Sequence, residues 1–518
     1  MKRIIVSYLF IFVFLIVGVV RIGFIINEKS DFASINNSSK TLDLGSVRGT
    51  IFDKNGGRLT NAEYEYFAAV SPNSKAIKSV SKYLTESQRK TLISGYPVAV
   101  KVDKNFVSSF VRVLKIPKRY SGVASHLIGY CNENGNGICG IEMAYNKILK
   151  GKKIKINYST DVNGQVIDNL GKFDGDLDYK GNGVMLTIDK SIQKLCEDVA
   201  KNYMTAGAIV VLENKSGKIR AMVSVPSYDP NNFSAALDNE NSPFFNRSIA
   251  AYNSGSVFKL LVSACALYYN IDLNFNCKGF IDVGDTRFNC LANHGKTDMK
   301  QALCVSCNCY FVKLGEKIGA KRLLDFAKSF GFGNEIKLCN SIVSTGALLP
   351  KLSQLEEKPA ELANFSFGQG VIMTSPLQIA SMIQCIANGG KKIMPTLVEG
   401  ICDYKGNLIT NEKRTLPTYL LEKEDAKTLQ KYMINTVKKG TGRAAKPNFA
   451  GAGGKTATAQ TGIFDKNGKA VYQTWFGGFY PAKNPEYTIV VLCENGSSGS
   501  KTSAPIFKMI ADGINNIG

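Results

Sequence analysis

The sequence predicts an α+β protein in which strands flank a helix-rich middle, carried behind one apolar N-terminal segment. Three observations predict it. An uncharged run opens the chain, the texture changes near Gly181-Asn182-Gly183, and from there strand-like runs stand at both ends of a stretch with helical periodicity. A length of 518 residues allows two to four domains at ~150 residues each.

Lys2 and Arg3 precede Ile4 to Val20, 17 residues without a charge, and after Arg21 the apolar stretch resumes as Ile22-Gly23-Phe24-Ile25-Ile26. About 20 apolar residues cross a bilayer, and an arginine near one end can snorkel to the headgroups. No small-x-small cleavage site follows, so residues 1–27 read as an uncleaved transmembrane signal anchor rather than a removable signal peptide. The long polar remainder, without a second span, places the bulk outside as a single-pass protein of the cell membrane. Ser34 to Lys40 reads as a flexible neck, and residues 28–180 as a mixed domain. In that domain Ile51-Phe52 runs into an Asn-Gly hairpin turn, and Glu133 to Gly137 forms an exposed loop.

Residues 181–518 form the larger domain. Val184 to Ile188 is a strand, and Lys190 to Met204 a helix burying Ile192, Leu195, Cys196 and Val199. Ala208 to Leu212, a turn at Lys215 to Lys218, and Ile219 to Val223 read as an antiparallel hairpin. Ser256 to Tyr269 is apolar nearly all round and predicts a buried helix. Trp475 to Tyr480 and Tyr487 to Glu494 are late strands, and Ile506 to Ile514 a closing helix. No internal repeat or low-complexity tract interrupts the pattern.

The composition, 44% hydrophobic and 20% charged, excludes a disordered, collagen-like or multi-pass chain. A net charge of +22 calls for an anionic partner. On an external domain, wall polymer or lipid headgroups suit it better than nucleic acid. Two histidines, His126 and His294, disfavour a multi-histidine metal site, and a Ser-His-Asp hydrolase would have to use one of them. Thirteen cysteines, an odd and irregularly spaced set, exclude a dense disulfide framework.

Gly454-Lys455-Thr456 and Gly295-Lys296-Thr297 resemble the end of a P-loop, but Phe449 and Cys290 stand where its first glycine belongs, so nucleotide binding is rejected. Ser-x-x-Lys starts at Ser79, Ser87, Ser191, Ser256 and Ser498. On a helix its two side chains share a face, so the amine can take the serine proton. Only Ser256-Val257-Phe258-Lys259 opens a strongly apolar helix in the large domain. There free N–H groups can stabilise an oxyanion, and burial disfavours the charged amine. Ser306-Cys307-Asn308 and Gly454-Lys455-Thr456-Ala457-Thr458 follow it. Ser-x-x-Lys, Ser-x-Asn and Lys-Thr-small, in that order, form the signature of penicillin-recognising serine enzymes.

With these motifs in place the chain resembles a class B penicillin-binding protein, a membrane-anchored peptidoglycan D,D-transpeptidase. Further matching segments are Arg48 to Gly56, Gly140-Ile141-Glu142 with Tyr145 and Leu149-Lys150-Gly151, Leu186 to Asp189 with Ile192-Gln193, Pro226 to Asn231, Asn246-Arg247, Phe367-Gly368-Gln369-Gly370 and Thr374 to Gln378. No glycosyltransferase segment lies between anchor and pedestal, which separates it from the bifunctional class A enzymes.

The resemblance implies a penicillin-binding, serine β-lactamase-like transpeptidase domain over 181–518, an antiparallel sheet flanked by helices. An extended pedestal domain over 28–180 and the anchor would precede it. It implies Ser256 as acylated nucleophile, Lys259 as proton acceptor, Ser306 as relay to the leaving amine and Asn308 as holder of the substrate amide. Lys455 would line the opposite wall, Thr456 and Thr458 would meet the substrate carboxylate, and the N–H groups of Ser256 and Thr458 would form the oxyanion hole. The implied partners are peptidoglycan stem peptides, lipid-linked precursor, β-lactams as covalent inhibitors and a membrane glycosyltransferase, with no nucleic acid. No cofactor or metal is expected. Ala457 stands where the family usually has glycine, and its methyl is expected to crowd the acyl chain. Cys304, Cys307 and Cys309 read as small buried side chains, and Cys277 and Cys290, flanking one loop, as a candidate bridge. A carboxypeptidase, a resistance β-lactamase, or a catalytically weak scaffold that activates a glycosyltransferase remain as alternatives.

Overall fold

The structure, a computed structural model, describes residues 13, 15–22, 39–464, 468 and 470–517. The expected anchor falls mainly outside the described residues. Those described within it, 13 and 15–22, are helical with Val13, Leu15, Val17, Val19 and Ile22 exposed. Among the described residues no helix is long and apolar enough to cross a membrane.

The chain forms two compact units that interleave along the sequence. The smaller gathers 39–48, 63–118 and 151–179 around two apolar cores. One is built on Val70, Leu92 and Val100, the other on Leu42, Ile156 and Tyr158. The larger takes 49–62 and 119–150 together with everything from Lys180 onward. The strand expected at Ile51-Phe52 is present, pairs in parallel with Gly183–Leu186, and turns at Asp53 to Gly57 as its Asn-Gly pair predicts.

The frame of the larger unit comprises, in chain order, helix α1 (Lys190–Tyr203), strands β1 (Gly207–Glu213) and β2 (Ile219–Val225), and helices α2 (Lys259–Tyr268), α3 (Met299–Val305), α4 (Asn308–Ile318) and α5 (Pro376–Ala387). Strands β3 (Gly453–Phe464), β4 (Ala470–Tyr480) and β5 (Tyr487–Glu494) and helix α6 (Ser503–Ile517) complete it. The five strands make one antiparallel sheet in the order β2-β1-β5-β4-β3. Side chains alternate between its faces. Ile209, Val211, Ile489 and Val491 pack with α1 and α6, while Val210, Leu212, Val490 and Leu492 pack against α5 and the helical middle. Central strands buried on both faces must be apolar throughout, and each fully buried Val, Ile or Leu contributes ~1.5–3 kcal/mol.

The sheet flanked by helices agrees with expectation. The start of the predicted Ser256–Tyr269 helix does not. Gly255–Val257 is a 3-10 turn, and the α-helix begins only at Lys259. Gly255 enters the turn in a left-handed backbone at φ +54, and Phe258 N–H closes the turn on the Gly255 carbonyl at 3.0 Å.

Candidate active site

Three elements converge beside edge strand β3. The 3-10 turn carries Ser256, half-buried, and the first residue of α2 is Lys259, fully buried. Ser306 closes α3 in a left-handed conformation at φ 59, and Asn308 opens α4 two residues later. A non-glycine residue in that region is strained and persists only where its surroundings fix it. Lys455, also fully buried, projects from β3.

Ser306 is the hub. Its hydroxyl donates to Ser256 Oγ at 3.1 Å and accepts from Lys455 Nζ at 3.0 Å and from Lys259 Nζ at 3.3 Å. Lys259 Nζ also donates to Asn308 Oδ1 at 2.7 Å and to the Ser306 carbonyl at 2.9 Å, and Lys455 Nζ to the Thr456 carbonyl at 2.9 Å. Two amines buried this close cannot both stay charged cheaply. Burial pushes Lys259 down to about 8, against the opposing pull of the nearby thiols. Burial, and then the neighbouring Lys259, push Lys455 well below the ordinary range. The corner therefore holds an amine able to accept a proton near neutrality, joined to a serine through a second serine.

The turn is held from behind. Trp475 Nε1–H donates to the Asn253 carbonyl at 2.9 Å, Asn253 N–H to Gln473 Oε1 at 2.9 Å, and Gly255 N–H to the Gly368 carbonyl at 2.8 Å. A Cβ on Gly368, at φ +81, would lie 2.1 Å from the Gly255 carbonyl oxygen, which gives Phe367-Gly368-Gln369-Gly370 its physical reason. In Thr374 to Gln378, Ser375 and Gln378 form a capping box at the start of α5, with Pro376 in the first turn.

All five residues expected to do chemistry come together. Of the three expected on the substrate, Thr458 is exposed and accepts from Gly499 N–H at 3.1 Å. Thr456 is nearly buried, its hydroxyl donating to Thr441 Oγ1 at 2.8 Å, an engagement the sequence did not suggest. Ala457, 3% exposed, sets its methyl beside the nucleophile's turn, since a Cβ on Gly255 would lie 3.2 Å from it, and the residue also lines the cleft. The anticipated bridge is corrected: Cys277 and Cys290 sulfurs stand 3.7 Å apart, against ~2.05 Å for a disulfide, and no described cysteine is joined in a disulfide.

A cleft of about 990 Å³ opens over Ser256, Ser306, Asn308 and Thr458. Sequence reasoning missed Arg287, Asn289, Thr441 and Tyr472 on its walls, because none belongs to a spaced motif. Neither histidine lines it. His126 is held by the Pro243 carbonyl at 2.7 Å, and burial lowers it to about 4.

A family model for the penicillin-binding protein transpeptidase domain matches residues 207–512. The stage V sporulation protein D of Bacillus subtilis is 28% identical, aligning over 98% of this chain and 84% of its own length. The peptidoglycan D,D-transpeptidase MrdA of Acinetobacter baumannii is 25% identical over 93% of this chain and 82% of its own. A solved peptidoglycan synthase complex, described in terms of coordinated polymerization and crosslinking, superposes with a TM-score of 0.70 at 23% identity, covering 99% of this chain and 98% of that one.

Proposed function

The chain belongs to the penicillin-binding protein transpeptidases, class B, and on that premise we propose that it cross-links peptidoglycan stem peptides through an acyl-enzyme on Ser256. The observation that carries this reading is the Ser256–Ser306–lysine chain, with separations of 3.1 Å to Ser256 and 3.0 and 3.3 Å to the two amines. In the proposed cycle Ser256 Oγ attacks the penultimate D-alanine carbonyl, and its proton passes toward neutral Lys259. Ser306 hands a proton to the amide nitrogen as the C–N bond breaks and D-alanine leaves. An amine from a neighbouring strand then attacks the ester and frees the serine. N–H groups of Ser256 and Thr458 hold the oxyanion, Asn308 the substrate amide, and Thr456, Thr458 and Lys455 its carboxylate. Ala457 lines the cleft with Thr456 and Thr458, beside the nucleophile's turn. A β-lactam follows the first half of this course, but its leaving amine stays tethered and the ester persists.

The reading extends to the rest of the chain. Residues 1–27 would anchor it in the cell membrane, residues 28–180 would supply the pedestal apart from 49–62 and 119–150, and these two segments with 181–518 would form the extracytoplasmic catalytic domain. The basic charge suits lipid-linked precursor, and the likeness to a synthase complex supports a membrane glycosyltransferase as partner. Labelling with a fluorescent penicillin on a denaturing gel tests the chemistry. A covalent band is expected in the wild type and none in Ser256→Ala. A band that survives the substitution, or a folded wild type without one, overturns it. Slow release of the adduct separates this reading from a β-lactamase, which would turn penicillin over rapidly.

A further inference from the structure

Beside the catalytic corner lie four side chains that the acyl chemistry does not use. Cys277 ends the strand Phe275–Cys277, and Cys290 follows the hairpin formed by Phe280–Val283 and Thr286–Asn289. His294 precedes the strand Gly295–Thr297, which pairs back onto Cys277, and Cys307 caps the N-terminus of α4. Their ligand atoms all lie within 4.8 Å of one another. Cys277 Sγ is 3.7 Å from Cys290 Sγ and 3.6 Å from His294 Nδ1, and Cys290 Sγ is 3.6 Å from Cys307 Sγ.

We propose that Cys277, Cys290, His294 and Cys307 form a structural zinc site. Around tetrahedral zinc, bonds of ~2.3 Å to sulfur and ~2.0 Å to nitrogen put sulfurs ~3.8 Å apart and sulfur and nitrogen ~3.5 Å apart, close to the separations present here. Three thiols and one imidazole are a known structural donor set, and four ligands leave no open position. The outer surroundings fit as well. Backbone N–H groups point at three sulfurs: Gly279 at Cys277, Cys309 at Cys290 and Tyr310 at Cys307, at 3.4, 3.3 and 3.4 Å. Such donors stabilise thiolates, and for Cys307 the start of α4 adds the positive end of its dipole. Binding releases three thiol protons to solvent and changes no oxidation state. The Cys309 sulfur, 3.3 Å from that of Cys290, stands outside the set of four.

The site has a structural consequence for the cleft. Cys307 is the middle residue of Ser306-Cys307-Asn308, and Asn308 Nδ2–H donates at 3.0 Å to the carbonyl of Asn289, next to Cys290. One ion would tie the turn carrying Ser306 and Asn308 to the adjoining loop of Asn289 and Cys290, which also lines the cleft. The site does not depend on which acyl substrate the cleft accepts.

The test is metal content of the full chain, purified in detergent without chelator, by plasma mass spectrometry. About one zinc per chain is expected for a single closed site. After replacement by Co(II), absorption should show sulfur-to-metal charge transfer and the intense visible bands of tetrahedral cobalt. His294→Ala and the double variant Cys277→Ser/Cys290→Ser should lose at least ~90% of the zinc, while Cys309→Ser keeps it. The wild-type metal and cobalt readings stand even where a variant fails to fold. Zinc below ~0.1 per chain in folded wild type, or Cys277 and Cys290 recovered as a disulfide, overturns the proposal. So does zinc that survives His294→Ala but not Cys309→Ser.

Discussion

Asn308 stands between two clusters built on different principles. On one side, Ser256, Ser306, Lys259 and Lys455 are hard oxygen and nitrogen groups joined by hydrogen bonds. On the other, Cys277, Cys290, His294 and Cys307 bring three thiols and an imidazole within 4.8 Å of one another, with three sulfurs receiving backbone N–H groups. The first must let protons move, so its amines are buried and partly neutralised. The second must hold two loops still. Placing both within three consecutive residues, Ser306 to Asn308, puts a proton relay directly against a rigid support.

The sharpest way to break the comparison is to disable each side alone. Lys259→Met keeps a buried chain of similar length but removes the proton acceptor. Penicillin acylation by stopped flow should fall ~10²–10⁴-fold, with zinc content unchanged. An equal loss of zinc would show that the two clusters are one folding unit. Next in size is Gly368→Ala. Its methyl would meet the Gly255 carbonyl oxygen at 2.1 Å in a left-handed backbone. We expect ~2–4 kcal/mol of lost stability, read as a lower Tm, and slower acylation because the nucleophile's own turn must shift. An unchanged Tm would mean that the turn is less tightly backed than its hydrogen bonds imply.

What the sequence disclosed follows the same division. The relay was legible because its chemistry demands fixed local spacings, Ser-x-x-Lys within one turn and Ser-x-Asn across one cap. The sheet was legible because strands buried on both faces must read as apolar runs. The cysteine cluster was not, since two hairpins and a helix cap bring Cys277, Cys290, His294 and Cys307 together from irregular positions. The 3-10 start at Gly255 was hidden because helical periodicity carries no mark of a tighter first turn. Nor could a linear reading show that 49–62 and 119–150 fold with the larger unit. Those segments contribute Ile51, Leu127 and Ile141 to its core, a contribution fixed by tertiary packing.

A smaller effect sharpens the account of the relay. With burial pushing Lys259 down to about 8, the neutral, proton-accepting amine grows as pH rises, so acylation should climb about tenfold from pH 7 to 9 and level above that. A flat profile in that range would show that Lys259 is already neutral at pH 7, or that the neutral amine does not limit the rate.

The smallest expected effect concerns the departure at Ala457. A methyl pointing into the cleft would crowd an acyl chain, and its removal would speed acylation by bulky β-lactams. In the structure Ala457 lines the cleft but is only 3% exposed, its methyl beside Gly255. Ala457→Gly should therefore leave the ranking of small and bulky β-lactams unchanged. Its cost should be mainly a loosened strand, ~0.5–1 kcal/mol for glycine in a strand interior, with acylation altered less than ~3-fold. Acylation rates for two β-lactams of unequal side-chain bulk decide it. A gain confined to the bulkier one would put the methyl back in the substrate's path. Equal small losses would leave Ala457 as packing behind the nucleophile, matched to a glycine at 255 whose own Cβ would stand 3.2 Å from it.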